Sequence, residues 1–218
     1  MRNAINHYRA HFTRREYQRS LVLGFMLFVV SMVLNFYAIG FATTHASNSV
    51  TDIVLSNTPI FDMDGFFVYG TLIVAAVSIG IVLTHPKYLP FSLYAIALFW
   101  IIRSCFVMMT HVAPFEASYA IDFGPAITSA FFGKDQFFSA HTGMPLVGAL
   151  AFWRKPLYRY FFLLASLYFA VVVLLGHLHY TIDVFSAFFI TYGIIEMAKW
   201  FWPKEWELFL AEEHLHQG

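Results

Sequence analysis

Cysteine and charge are the two things this chain has least of. A single cysteine, Cys105, stands among 218 residues, which excludes a disulfide framework and a thiolate metal site. Only 12% of the residues are charged, against about a quarter in a typical soluble domain. Lys and Arg number 13 and so do Asp and Glu, so no basic surplus points to a nucleic-acid partner. Internal repeats, low-complexity stretches and a second domain are all absent. Residues 1–19 are too polar for a signal peptide. What fills the chain instead is apolar: 59% hydrophobic residues, with 26 Phe. That composition suits a bilayer better than water.

A membrane helix needs about 20 apolar residues to cross a core about 30 Å thick. Six segments qualify: 21–39, 66–83, 91–112, 142–152, 157–175 and 181–199. The fourth is short and reaches spanning length only if it starts near Phe137 and takes in Ser139 and His141. The expectation is an all-α integral membrane bundle of six transmembrane helices over 20–200. A basic segment, 1–19, precedes it and a tail, 201–218, follows it.

The basic residues orient the bundle. Eleven fall on one side of a six-helix arrangement: Arg2, Arg9, Arg14, Arg15, Arg19, Lys87, Arg154, Lys155, Arg159, Lys199 and Lys204. Lys134 alone lies on the other side, and Arg103 lies within helix 3. The positive-inside rule then makes both termini cytoplasmic. Ile5, Tyr8 and Phe12 among the first arginines fit an interfacial amphipathic helix or a frayed basic tail. Trp200, Trp202 and Trp206 around Pro203 fit an aromatic belt followed by a short surface helix.

Polar residues within such a chain call for an explanation. His179 and Asp183 are spaced i,i+4 and share a face at the start of helix 6. A carboxylate there can fix one imidazole tautomer and leave the other nitrogen nucleophilic. His141, in the first turn of helix 4 on the same membrane side, can serve as the acid and base. Ser139 and Thr142, with backbone N–H groups at that helix start, can hold phosphate oxygens. A histidine at a helix end is ordinarily an interfacial residue, and a serine there an ordinary cap. An intramembrane carboxylate is by default a functional site.

Arg103 is the second anomaly, since an arginine at mid-bilayer costs about 2.5–3.5 kcal/mol on insertion scales. It can snorkel, pair with an acid, or clamp a transferring phosphate. His177 and His179 alternate and do not share a helical face, so a metal site is the minority reading. His45 and His111 read as loop or interfacial residues.

At these residues the chain resembles the sphingomyelin synthase family, within the wider lipid phosphate phosphatase superfamily. The family's Cys-Gly-Asp-x-x-x-Ser-Gly-His-Thr motif is matched by Gly133, Lys134, Asp135, Gln136, Phe137, Phe138, Ser139, Ala140, His141 and Thr142. Its His-Tyr-Thr-x-Asp-Val motif is intact as His179, Tyr180, Thr181, Ile182, Asp183 and Val184. Arg103 and Ser104 resemble its third-helix motif, and Thr110 to Pro114 a Thr-x-x-x-Pro end. Thr51 to Leu55 are a weaker match to its Pro-Asp segment. The departures are Gly133 and Lys134 for Cys-Gly, Ala140 for glycine, and no complete set of the phosphatase branch's cationic motifs.

The resemblance implies His179 as nucleophile, Asp183 as its partner and His141 as acid/base, on the lumenal or extracytoplasmic side. Asp135, Tyr180 and His177 join Ser139, Thr142 and Arg103 as candidate substrate- or phosphate-binding residues. The expected activity moves phosphocholine or phosphoethanolamine from a glycerophospholipid to ceramide or diacylglycerol, with no metal and no cofactor. Water as acceptor would make it a lipid phosphatase or a phospholipase-C-type hydrolase. A transporter or channel with an intramembrane polar path is a different class, and a metal-dependent hydrolase a third. The implied partners are the membrane and its lipid substrates, and a homo-oligomer is possible.

Overall fold

A computed structural model describes residues 12–116 and 136–211. In chain order the helices are α1 (Arg15–Thr44), α2 (Asp64–Thr84), α3 (Leu89–Met109), α4 (Ala140–Ala151), α5 (Pro156–Leu175), α6 (Thr181–Phe201) and α7 (Pro203–Leu210). Short 3-10 turns sit at Leu55–Asn57 and Pro86–Tyr88. The expected helical bundle is what forms. Proline opens α3, α5 and α7 within their first two positions, where its missing N–H has no helical partner to lose and its fixed φ suits a helix.

Among the described residues, five helices are long and apolar enough to cross a membrane: α1, α2, α5, α6, and α3 taken with the turn before it. At 30 residues, α1 is about 45 Å long, so its polar first turns extend beyond a hydrocarbon core of about 30 Å. The fourth segment differs from the others. Its helix covers only 12 residues, about 18 Å, because Ser139 caps it and Gln136–Phe138 stay outside the helix. The start near Phe137 that spanning length would require is not reached. The Ser139 side chain stops it there by accepting the Thr142 N–H.

Packing is close around α4. A Cβ on Gly143 would come within 2.8 Å of the Phe99 ring and of Thr191 Oγ1, and one on Gly148 within 2.9 Å of Phe162. These two glycines let the backbone of α4 approach α3, α6 and α5, the small-residue packing that replaces a hydrophobic driving force in lipid. Pro145 lies inside α4 and withholds an N–H from its first turns. In the same stretch Ser166 of α5 donates to the Thr142 carbonyl at 2.7 Å. The main core takes Phe91 and Phe99 of α3, Phe138, Leu146, Ile194 and Ile195. A second cluster joins Phe67 of α2, Phe169 and Val173 of α5 and Val184 of α6.

The outer surface is apolar as well. Leu72, Ile79 and Leu83 of α2, Leu164 of α5 and Phe189 of α6 are all exposed. A contiguous apolar exterior of this kind marks a surface covered by another apolar medium.

At the end of the bundle away from His179, α7 docks rather than lying free. Phe209 is buried against Tyr88, Phe152 and Phe91, with ring centroids 4.6, 4.9 and 5.5 Å away. Lys87 Nζ donates to the Ala211 carbonyl. Tyr17 donates to the Pro86 carbonyl at 2.8 Å, and Ser20 to Glu205 at 2.7 Å. Trp202 stacks on Tyr94 at 4.6 Å, while Trp200 faces outward.

Candidate active site

The site begins with the turn between α5 and α6. The Leu178 N–H bonds the Val173 carbonyl at 2.8 Å and the His177 N–H bonds the Leu174 carbonyl at 3.1 Å. This is the Schellman closure of a helix, whose left-handed position is usually glycine. Here His177 occupies it, with φ 53°, a conformation that costs a non-glycine residue about 1–3 kcal/mol. Its buried ring lies edge-on to Phe115 at 5.4 Å, with Nε2 3.4 Å from Thr58 Oγ1. Its Nδ1 is buried and has no hydrogen-bond partner among the described residues. His177 and His179 therefore belong to a turn rather than to one helical face. No group of three or more metal-ligating side chains converges among the described residues.

The turn delivers His179 and Tyr180 to the start of α6. Asp183, the third residue of that helix, accepts the Tyr180 N–H at 3.1 Å through Oδ2. The same oxygen lies 3.3 Å from His179 Nδ1. A carboxylate only accepts, so Nδ1 carries the proton and Nε2 keeps a bare lone pair. Asp183 is 2% exposed and His179 8%. The carboxylate also gains from the positive end of α6, so a charge that apolar surroundings would penalise is held by three groups at once.

The start of α4 is stitched to the start of α6 by the Ser139 N–H, which donates to the Asp183 carbonyl at 3.2 Å. His141 is thereby brought into electrostatic range of His179 and Arg103. Its ring packs on Phe67 at 4.3 Å and Phe169 at 5.8 Å. Ser139 and Thr142 are fully buried and face each other: Thr142 Oγ1 donates to Ser139 Oγ at 3.3 Å. Ser139 Oγ takes the ordinary cap role at the start of α4, and the Thr142 hydroxyl is engaged with it.

Arg103 is 3% exposed and neither snorkels nor reaches solvent. Its Nε donates to the Phe138 carbonyl at 3.0 Å and its Nη1 to Asn35 Oδ1 at 3.4 Å. It therefore holds the segment that leads into Ser139 and His141. Tyr180 works on the loops: its hydroxyl donates to the Ala113 carbonyl at 2.9 Å and accepts the Val50 N–H at 3.2 Å. Asp135 and Lys134 lie outside the described residues.

Two participants were missed. Asn35 is buried in the middle of α1, and an amide inside an otherwise apolar membrane segment was the available signal. Asp52 accepts the Thr181 N–H at 2.7 Å and the Thr181 hydroxyl at 2.6 Å. Burial would raise the Asp52 carboxyl, but the hydrogen bonds from Thr181, Leu55 and Val54 outweigh it and hold the group below its ordinary value.

Beside the site, α2 and α5 part to leave an open groove of about 720 Å³. Phe66, Tyr69, Gly70, Leu164 and Tyr168 line it, with Asp62 at one end. The same two helices carry Phe67 and Phe169, the residues against His141.

Comparison with protein-family models, with curated proteins and with solved structures gives no match to this chain.

Proposed function

We propose that this membrane protein transfers a phospho-head-group from a glycerophospholipid to a lipid alcohol through a phosphohistidine. The observation that carries the reading is the buried His179–Asp183 pair with His141 beside it, at one end of a bundle whose exterior is apolar. His179 Nε2 would attack phosphorus while the bond to the diacylglycerol oxygen breaks and His141 gives that oxygen a proton. The neutral His141 would then take the proton of the acceptor hydroxyl as its oxygen displaces His179 from phosphorus. Asp183 would stabilise the imidazolium character of His179 without itself taking a proton. The motif resemblance to sphingomyelin synthases supports phosphocholine or phosphoethanolamine as the group moved and ceramide or diacylglycerol as acceptor. The groove between α2 and α5 supports entry of a lipid from the bilayer.

Arg103 is the one cation that the described residues place at this site, and it is already bonded to Phe138 and Asn35. That favours a phosphodiester over a dianionic monoester. A diacyl phospholipid is therefore expected to be a better donor than phosphatidic acid. The test is purified protein with labelled phosphatidylcholine, phosphatidylethanolamine and phosphatidic acid, with and without ceramide, resolving both lipid products and free phosphate. Rapid phosphate release from phosphatidic acid with no transfer from either phospholipid would replace the reading with a phosphatase.

The charge asymmetry supports cytoplasmic termini and a site on the opposite face. Reporters fused at both ends should report the cytoplasm, and one placed within 114–132 the other side. A lumenal terminus would put both histidines on the wrong face and sink this topology.

A further inference from the structure

We propose that Asp52 is a positioning residue for the His179–Asp183 pair, capping α6 from the segment between α1 and α2. The inference takes its meaning from the proposed role of His179, but its test does not depend on that role. The N-cap of α6 is Tyr180, and Asp183 reaches back to its N–H as part of a capping box. That bond leaves the Thr181 N–H, the first of the helix, which Asp52 takes from 129 residues away.

Its Oδ2 takes the Thr181 N–H, and its Oδ1 takes the Thr181 hydroxyl at 2.6 Å. The same Oδ1 takes the N–H groups of Val54 at 2.8 Å and Leu55 at 3.0 Å. One carboxylate thus closes its own turn and grips the first residue of α6. Thr181 lies two residues from His179 and two from Asp183, so the cap holds the middle of the pair. The segment is fastened further by Val50 to Tyr180 and by the Phe61 N–H to the Leu175 carbonyl at 3.0 Å. With its folded pKa below the unfolded value, the grip is present at neutral pH and is lost only as pH falls through the folded value.

The test uses the full chain in lipid nanodiscs and the rate at which diethyl pyrocarbonate modifies each histidine, resolved by peptide mass spectrometry across pH. Asp52→Ala should expose His179 to modification about tenfold faster, the rise in local opening that losing a helix cap implies. Asp52→Asn should show a smaller change of the same sign, and so should Thr181→Val, which keeps the N–H bond and removes only the hydroxyl. His85, at the far end of α2, is the internal reference and should keep its rate.

An unchanged His179 rate in all three variants would overturn the proposal. So would an equal acceleration of His85 and His179, which would make Asp52 a determinant of folding as a whole. Should Asp52→Ala fail to fold, the two milder variants still decide the matter. A wild-type protein that moves no head group would remove the proposed function and leave the histidine readout standing.

Discussion

His179→Ala is expected to abolish head-group transfer while the protein stays inserted and folded, and Asp183→Asn to lower it by about 10³–10⁴-fold. The second variant is the more informative. Asparagine keeps an oxygen that can accept the Tyr180 N–H, so α6 should still start where it does. The amide can also turn its NH₂ toward Nδ1, which moves the imidazole proton to Nε2 and removes the lone pair aimed at phosphorus. Turnover by radiolabelled lipid transfer, beside the thermal unfolding midpoint of both variants, checks this. Near-wild-type transfer by His179→Ala would rule the phosphohistidine out.

Replacing Arg103 should have the largest effect on stability. Arg103→Met leaves the Phe138 carbonyl and the Asn35 amide without their shared donor. Leaving a buried acceptor unsatisfied costs about 1–3 kcal/mol for each of the two. Arg103→Lys should restore little, because an ammonium cannot reproduce the fork that reaches Phe138 and Asn35 together. Pairing Arg103→Met with Asn35→Leu should recover part of the loss, since both ends of that contact become apolar. Thermal unfolding of the three single variants and the pair measures this. If Arg103→Lys matches the wild type in stability but not in transfer, the guanidinium acts on substrate rather than on the frame.

The membrane class and the closeness of His179 to Asp183 were legible in the sequence, because each rests on local pattern. Apolar runs set the long helices, five of the six expected spans among the described residues, and Asp183 in the first turn of α6 reaches back to His179 just before it. Periodicity could not tell the core face of a helix from its lipid face, since both are apolar: Phe99 is fully buried and Phe189 is 76% exposed. The contacts that frame the site were illegible for a different reason. Arg103 meets Asn35 across 68 residues and Asp52 meets Thr181 across 129, and no local rule relates positions so far apart. Ser139 was visible as a candidate, but not as the residue that shortens α4. His177 was visible as a histidine, but not as the occupant of a position that usually goes to glycine.

The stitching of the site from residues 52, 103, 139 and 183 also constrains how the protein can be made. Helices enter a bilayer in the order of synthesis, so Arg103 arrives before Phe138 exists to receive its Nε–H. Asn35 is already there, on the helix against which α3 packs most closely. The amide can act as a chaperone built into the first helix, sheltering the guanidinium until the second half of the chain emerges. Asp52 likewise waits for Thr181, and Ser139 for Asp183. The site has no finished form until the last membrane segment is threaded.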